Sequence, residues 1–227
     1  MIQSHKTSQT RSDDAPPDYR DGVTPAQAEA HRKRMIALRE EQRKKVAERK
    51  EKRGVLIVNT GNGKGKSTAA YGTALRAIGH GQNVGIVLFV KGSWKTGEKE
   101  IFPTLPHVDF VVAGEGFTWD TQDVERDIAC ARHGWNRAVE MIEAARRDPN
   151  AYQLIVLDEL NIAIRYGYLP IEEVVSVLDG RPKHLNVIVT GRDAREELIH
   201  IADTVSEMVP VRHAFQRGVR AQRGVEF

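Results

Sequence analysis

The chain has 227 residues, with 34 lysines and arginines against 31 aspartates and glutamates. That is long enough for one domain of ordinary size with a substantial core and an appendage. No run of about 18 apolar residues exists to cross a membrane, and a single cysteine, Cys130, excludes an internal disulfide or a cysteine-based metal cluster.

The basic charge is unevenly spread. Pro25 to Arg53 holds 11 lysines and arginines against five glutamates, which leaves 23 against 26 in the rest. The basicity belongs to an N-terminal arm and the body is mildly acidic, which counts against the fold itself binding nucleic acid. The first residues, Met-Ile-Gln-Ser-His-Lys-Thr-Ser, lack the apolar stretch of a secretory signal, so a cytoplasmic location is expected.

Residues 1–23 are polar, carry Asp-Asp and Pro-Pro, and read as a disordered or loosely held extension. Thr24-Pro25 resembles an N-cap followed by proline in the first turn, opening a charged helical arm over 24–53. The arm reads as a solvated helix, as a lid or dimer contact over a phosphate site, or as a nucleic-acid contact.

The body, 54–227, begins with Val55-Leu-Ile-Val-Asn-Thr-Gly-Asn-Gly-Lys-Gly-Lys-Ser67. An apolar strand runs into a Gly/Lys-rich turn and then into a helix from Thr68 to about Ile78. Glycines allow backbone N–H groups to turn around a phosphate, Lys66 adds charge, and Ser67 offers a hydroxyl to Mg²⁺. This is a P-loop, and a nucleoside triphosphate is the expected ligand. It departs from the usual G-x-x-x-x-G-K-[ST], because Thr60 stands at the first glycine position and Lys64 adds a second charge.

Further strands are expected at Asn83–Val90, Val108–Ala113, Tyr152–Asp158, His184–Thr190 and Thr204–Val211. Helices are expected at about Asp123–Arg147 and Ala194–Ile201, with Cys130 a buried structural thiol in the first of them. The alternation predicts an α/β fold, an open and mostly parallel sheet flanked by helices, of P-loop NTPase (RecA-like) architecture with the charged helical arm ahead of it.

In such sheets ligands bind beyond the carboxyl ends of the strands. Leu154-Ile-Val-Leu-Asp158-Glu159 ends in two carboxylates, either of which holds Mg²⁺ with Ser67, directly or through water. Thr190-Gly191-Arg192 places an arginine where it reaches phosphate oxygens, and Lys91-Gly92-Ser93-Trp94 is placed to line a second ligand's pocket. Gly116-Phe-Thr-Trp-Asp-Thr-Gln122 puts two aromatics on a glycine-flanked loop, either tucked into the core or covering something flat and apolar. No side-chain nucleophile is evident.

Together, Thr60–Ser67, Gly116–Gln122, Leu157-Asp-Glu-Leu160, Thr190-Gly-Arg192 and Val209-Pro-Val-Arg-His-Ala-Phe215 resemble, in order, the signatures of P-loop ATP:corrinoid adenosyltransferases over about Gly54–Phe227. The resemblance implies attack of a Co(I) corrinoid on the 5′ carbon of ATP, with inorganic triphosphate as leaving group. It implies ATP contacts from Thr60, Gly61, Asn62, Gly63, Lys64, Gly65, Lys66, Ser67, Thr68 and Arg192, and Mg²⁺ held by Ser67, Asp158 and Glu159. Phe117 and Trp119 would lie against the corrin and displace the lower axial ligand of Co(II), easing its reduction. Lys91 and Trp94 are further corrinoid contacts on this reading, and His213 is a candidate nucleotide or corrinoid contact. A flavoprotein reductant and a homodimer are the implied partners, with the basic arm as a lid. The rival readings are a RecA-like ATPase acting on nucleic acid and a nucleotide-binding regulatory module without turnover.

Overall fold

The computed structural model describes residues 22–90, 95–113 and 123–226. Met1–Glu51 and Lys52–Phe227 form two compact units. Within the first, helix α1 spans Pro25–Ala47. Thr24 caps it, its side chain accepting from Gln27 N–H while the Gln27 side chain accepts from Thr24 N–H. The apolar residues Met35, Ile36, Leu38 and Val46 are exposed, and i,i+4 pairs such as Lys33–Glu29 and Lys45–Glu41 lie along the helix. Among the described residues no helix is long and apolar enough to cross a membrane.

The second unit is a parallel α/β sheet. Its strands are β1 (Leu56–Thr60), β2 (Val84–Leu88), β3 (Val108–Val112), β4 (Leu154–Asp158), β5 (Asn186–Thr190) and β6 (Thr204–Glu207), in the order β3-β2-β4-β5-β1-β6. Every pairing is parallel. β2 and β4 are buried along their whole length, as apolar strands covered on both faces must be.

The helices are α2 (Lys66–Gly79), α3 (Gly97–Ile101), α4 (Val124–Arg147), α5 (Leu160–Arg165), α6 (Ile171–Asp179) and α7 (Glu196–Ile201). On one face Ala70, Tyr71, Ala74 and Ala77 of α2 join Phe102 against Val84, Ile86, Val156 and Ile188. On the other, Trp135, Ala138, Met141 and Ile142 of α4 and residues of α5 to α7 pack on Val58, Val87, Ile155, Leu157 and Val189. Burying each aliphatic side chain contributes about 1.5–3 kcal/mol. The buried Trp135 also donates its indole N–H to Glu173 at 2.7 Å, and Arg132 holds both oxygens of that carboxylate, tying α4 to α6.

The structure departs from the sequence reading at the last strand, at three helices and at Cys130. The last strand stops at Glu207 rather than Val211, because the Met208 carbonyl bonds Gly63 in the loop after β1 and Pro210 has no N–H to donate. Helices α3, α5 and α6 were not anticipated. Only Glu159 separates β4 from α5, and the six residues Leu160–Arg165 are too few for periodicity to mark a new helix. Cys130 is half-buried rather than buried.

The opposite end of the sheet is anchored by Asp203, which accepts from Arg53 at 2.5 Å, Leu56 N–H at 2.8 Å and Arg181 at 2.9 Å. The Arg53 hydrogen bond, outweighing partial burial, lowers its pKa from 3.8 to about 2. A carboxylate depressed in the folded state stabilises above its unfolded value and loses that contribution as pH falls through the folded one. The stability difference between wild type and Asp203→Asn is therefore expected to be full above about pH 4 and to vanish toward about pH 2. Urea melts of the two proteins across that range test it; a pH-independent difference contradicts it.

Candidate functional site

Beyond the carboxyl ends of β1, β5 and β4 the chain builds one polar site. Thr60 ends β1, and the following loop turns on Gly61 at φ +90° and Gly65 at φ +111°, where side chains are strained. The loop is pressed against the chain after β6. Gly63 N–H donates to the Met208 carbonyl at 2.5 Å, and Met208 N–H donates to the Thr60 carbonyl at 2.8 Å. A Cβ on Gly61 or on Gly63 would stand 2.6 Å from the Met208 oxygen, so this approach excludes any larger residue at either position.

Lys66 opens α2 yet is only 8% exposed. Its ammonium donates to the carbonyls of Gly61 at 2.8 Å and Gly63 at 2.7 Å, folding the loop around a positive charge. Asn59 supports it from the strand, donating Nδ2 to the Lys66 carbonyl at 3.3 Å. Thr60 Oγ1 accepts from Ala194 N–H at 3.1 Å, which brings the segment after β5 against the loop. Asn62, Lys64 and Thr68 are exposed and Ser67 is half-buried. Lys64 pairs with Glu226 near the carboxyl terminus.

Asp158, 1% exposed, ends β4. Thr190 at the end of β5 donates its hydroxyl to Oδ1 at 2.6 Å, and Tyr71 on α2 donates to Oδ2 at 3.1 Å. Thr190 Oγ1 in turn accepts from Glu159 N–H at 2.9 Å. Burial first, and the charge of Asp158 second, push the Tyr71 hydroxyl well above its ordinary pKa of 10.0, so it remains a donor. Glu159 turns the chain into α5 at φ +61°, a strained conformation for a residue with a Cβ, and is half-buried.

In the first turn of α5, buried Asn161 donates Nδ2 to the Gly191 carbonyl at 3.1 Å. Gly191 sits at φ +130°, with room for no Cβ beside Asn161. Asn161 Oδ1 is buried and has no hydrogen-bond partner among the described residues. Arg192 follows on an exposed loop.

The donor set fits a hard divalent cation. Both Asp158 oxygens keep acceptor capacity beyond one hydroxyl each, and Ser67 and Glu159 add oxygens. Among the described residues no three His, Cys, Asp or Glu side chains form a closed cage. Mg²⁺ is typically held by one or two protein oxygens and completed by substrate phosphates and water.

Of the residues singled out from sequence, Thr60–Ser67, Asp158, Glu159 and Thr190–Arg192 thus sit at the ends of three neighbouring strands. His213 lies half-buried after β6, its Nδ1 accepting from Phe215 N–H at 3.1 Å. Lys91, Trp94, Phe117 and Trp119 lie outside the described residues. Sequence reasoning missed Tyr71, Asn161, Asn59 and the Met208 backbone. Tyr71 alone left a trace, as a large polar-tipped residue among the alanines of the buried face of α2.

Residues 52–227 match the family described as ATP:corrinoid adenosyltransferase BtuR/CobO/CobP. The corrinoid adenosyltransferase of Pseudomonas aeruginosa is 47% identical over 205 residues, 90% of this chain and 98% of that protein. Corrinoid adenosyltransferase CobA of Salmonella typhimurium is 50% identical over 184 residues, covering 81% and 90% respectively. The corrinoid adenosyltransferase of Escherichia coli K12 is 46% identical over 200 residues, 88% of this chain and 98% of that protein. The chain belongs to the ATP:corrinoid adenosyltransferase family, and its activity is adenosyl transfer to a corrinoid in cobalamin biosynthesis.

Proposed function

We propose that the loop Thr60–Ser67 cradles the triphosphate of ATP while the Co(I) centre of a corrinoid attacks the 5′ carbon. The cobalt–carbon bond forms as the carbon–oxygen bond to the α-phosphate breaks, and the electron pair leaves with triphosphate. The substrate supplies the nucleophile, so the protein's task is to position and to stabilise charge. The observation that carries this reading is Lys66, a buried ammonium set inside its loop at the N-terminus of a 14-residue helix. Such a helix end favours an anion through its dipole and its unpaired N–H groups.

Lys66, Lys64 and Arg192 face charge that grows on the leaving triphosphate, with Gly61, Asn62, Gly63, Gly65 and Thr68 shaping the loop. Ser67, Asp158 and Glu159 are the residues that would hold Mg²⁺, which when bound neutralises phosphate charge. The strand order, with β5 inserted between the loop strand and the acid strand, supports a RecA-like P-loop architecture. Exposed Val209, Val211 and Phe215 flank His213 and offer apolar surface to a corrin face. Lys91, Trp94, Phe117 and Trp119 are the other residues assigned to the corrinoid.

The basic charge of helix α1 suits it to polyphosphate and to the phosphate-bearing tail of a corrinoid. A flavoprotein is the reductant class that supplies Co(I), the active form is a homodimer, and the location is cytoplasmic. The test is substitution of the aromatic pair. Phe117→Ala and Trp119→Ala are expected to abolish turnover on Co(II) corrinoid plus reductant while ATP affinity, read by calorimetry, stays at the wild-type value. Loss of ATP affinity in step with turnover contradicts the assignment.

A further inference from the structure

The geometry points to Tyr71 as a positioning residue that couples the P-loop helix to Asp158 and so sets the cation's place beside the triphosphate. The inference rests on the reading of Ser67 and Asp158 as groups that hold the cation.

Packing alone does not ask for a tyrosine here. Tyr71 is 6% exposed, its ring centroid 5.2 Å from that of Phe102, and its neighbours on α2 are alanines. Phenylalanine would fill the same space without a hydroxyl, and a buried hydroxyl is costly unless it is bonded. The hydroxyl is spent on one acceptor, Asp158 Oδ2 at 3.1 Å.

Its position on the helix gives that bond a consequence. Tyr71 follows Ser67 by four residues, so both lie on one helix face, one turn apart. A single rigid element thus carries the hydroxyl offered to the cation and the hydroxyl that orients the acid. From the other side, Thr190 holds Oδ1 at 2.6 Å and also accepts the Glu159 N–H. The two hydroxyls leave the carboxylate one orientation, and therefore one set of remaining lone pairs. Without Tyr71, Oδ2 is free to turn and the registration between α2 and β4 is lost at the site.

Removal of a group that orients a metal ligand typically lowers metal affinity about 10- to 100-fold. The experiment uses the full chain and measures ATP affinity by calorimetry twice, in excess EDTA and with Mn²⁺ as the probe. The ratio of the two affinities reports the coupling between cation and nucleotide. In Tyr71→Phe the Mn²⁺-dependent tightening is expected to fall by about 10-fold or more, with metal-free ATP affinity unchanged. Tightening equal to wild type, or a parallel loss in both conditions, overturns the proposal, because a merely structural tyrosine would move both. Asp158→Asn separates this from the underlying site reading. If it abolishes the tightening while Tyr71→Phe keeps it, the cation site stands and the positioning role falls. If both variants keep it, both readings fall.

Discussion

Lys66→Met is expected to lower kcat/KM for adenosyl transfer by about 100- to 1000-fold, the range found when a preorganised charge stabiliser is removed from an active site. The ammonium does two jobs in the structure. It brings positive charge to the end of α2, and it satisfies the buried carbonyls of Gly61 and Gly63 at 2.8 and 2.7 Å. Methionine keeps the length and removes both, so the apo protein is also expected to lose about 1–3 kcal/mol for the carbonyls left unpaired. Steady-state kinetics and urea melts read the two losses separately. Wild-type kcat/KM in this variant would remove the loop from the chemistry.

Gly61→Ala carries the second large effect, and here the damage is steric. Gly61 lies at φ +90°, and a Cβ there would stand 2.6 Å from the Met208 carbonyl oxygen, a backbone atom that cannot swing aside. Left-handed strain alone costs about 1–3 kcal/mol. Relief of the contact must push the loop off the segment after β6, breaking the paired Gly63–Met208 and Met208–Thr60 hydrogen bonds. ATP affinity is expected to fall at least about 10-fold, since a displacement of the cradle costs oriented phosphate contacts. Calorimetric titration with ATP tests this, and an affinity equal to wild type would show that the Met208 contact does not shape the cradle.

What could be read from the sequence follows what side chains encode. The stretch Val55–Ser67 was legible because an apolar strand, a glycine-rich turn and a helix stand in immediate succession, and the structure gives β1, the loop and α2 in that order. Asp158 was legible as the polar residue that ends an apolar strand, and the location of both groups at one end of the sheet followed from parallel topology.

The partners of these groups were not legible, for physical reasons. Tyr71 meets Asp158 only because α2 crosses over β4, and no spacing along the chain records that contact. Met208 acts through its backbone N–H and carbonyl, so its identity as methionine carries no signal of the role. Asn161 sits on a six-residue helix that only Glu159 separates from β4, too short for a periodicity of its own to register. The strained Glu159 at φ +61° makes the turn between them, where a glycine would have announced it. Helix α6 was the avoidable omission, since Ile171, Val174 and Leu178 recur at helical spacing.

The central claim is that the bond broken in ATP is the one at the 5′ carbon. An anaerobic reaction of the protein with ATP, Mg²⁺ and chemically reduced cob(I)alamin, followed by visible and phosphorus spectroscopy together, tests it most directly. The account predicts light-sensitive adenosylcobalamin with intact triphosphate in equal amount. ADP and phosphate with no cobalt–carbon product would contradict it.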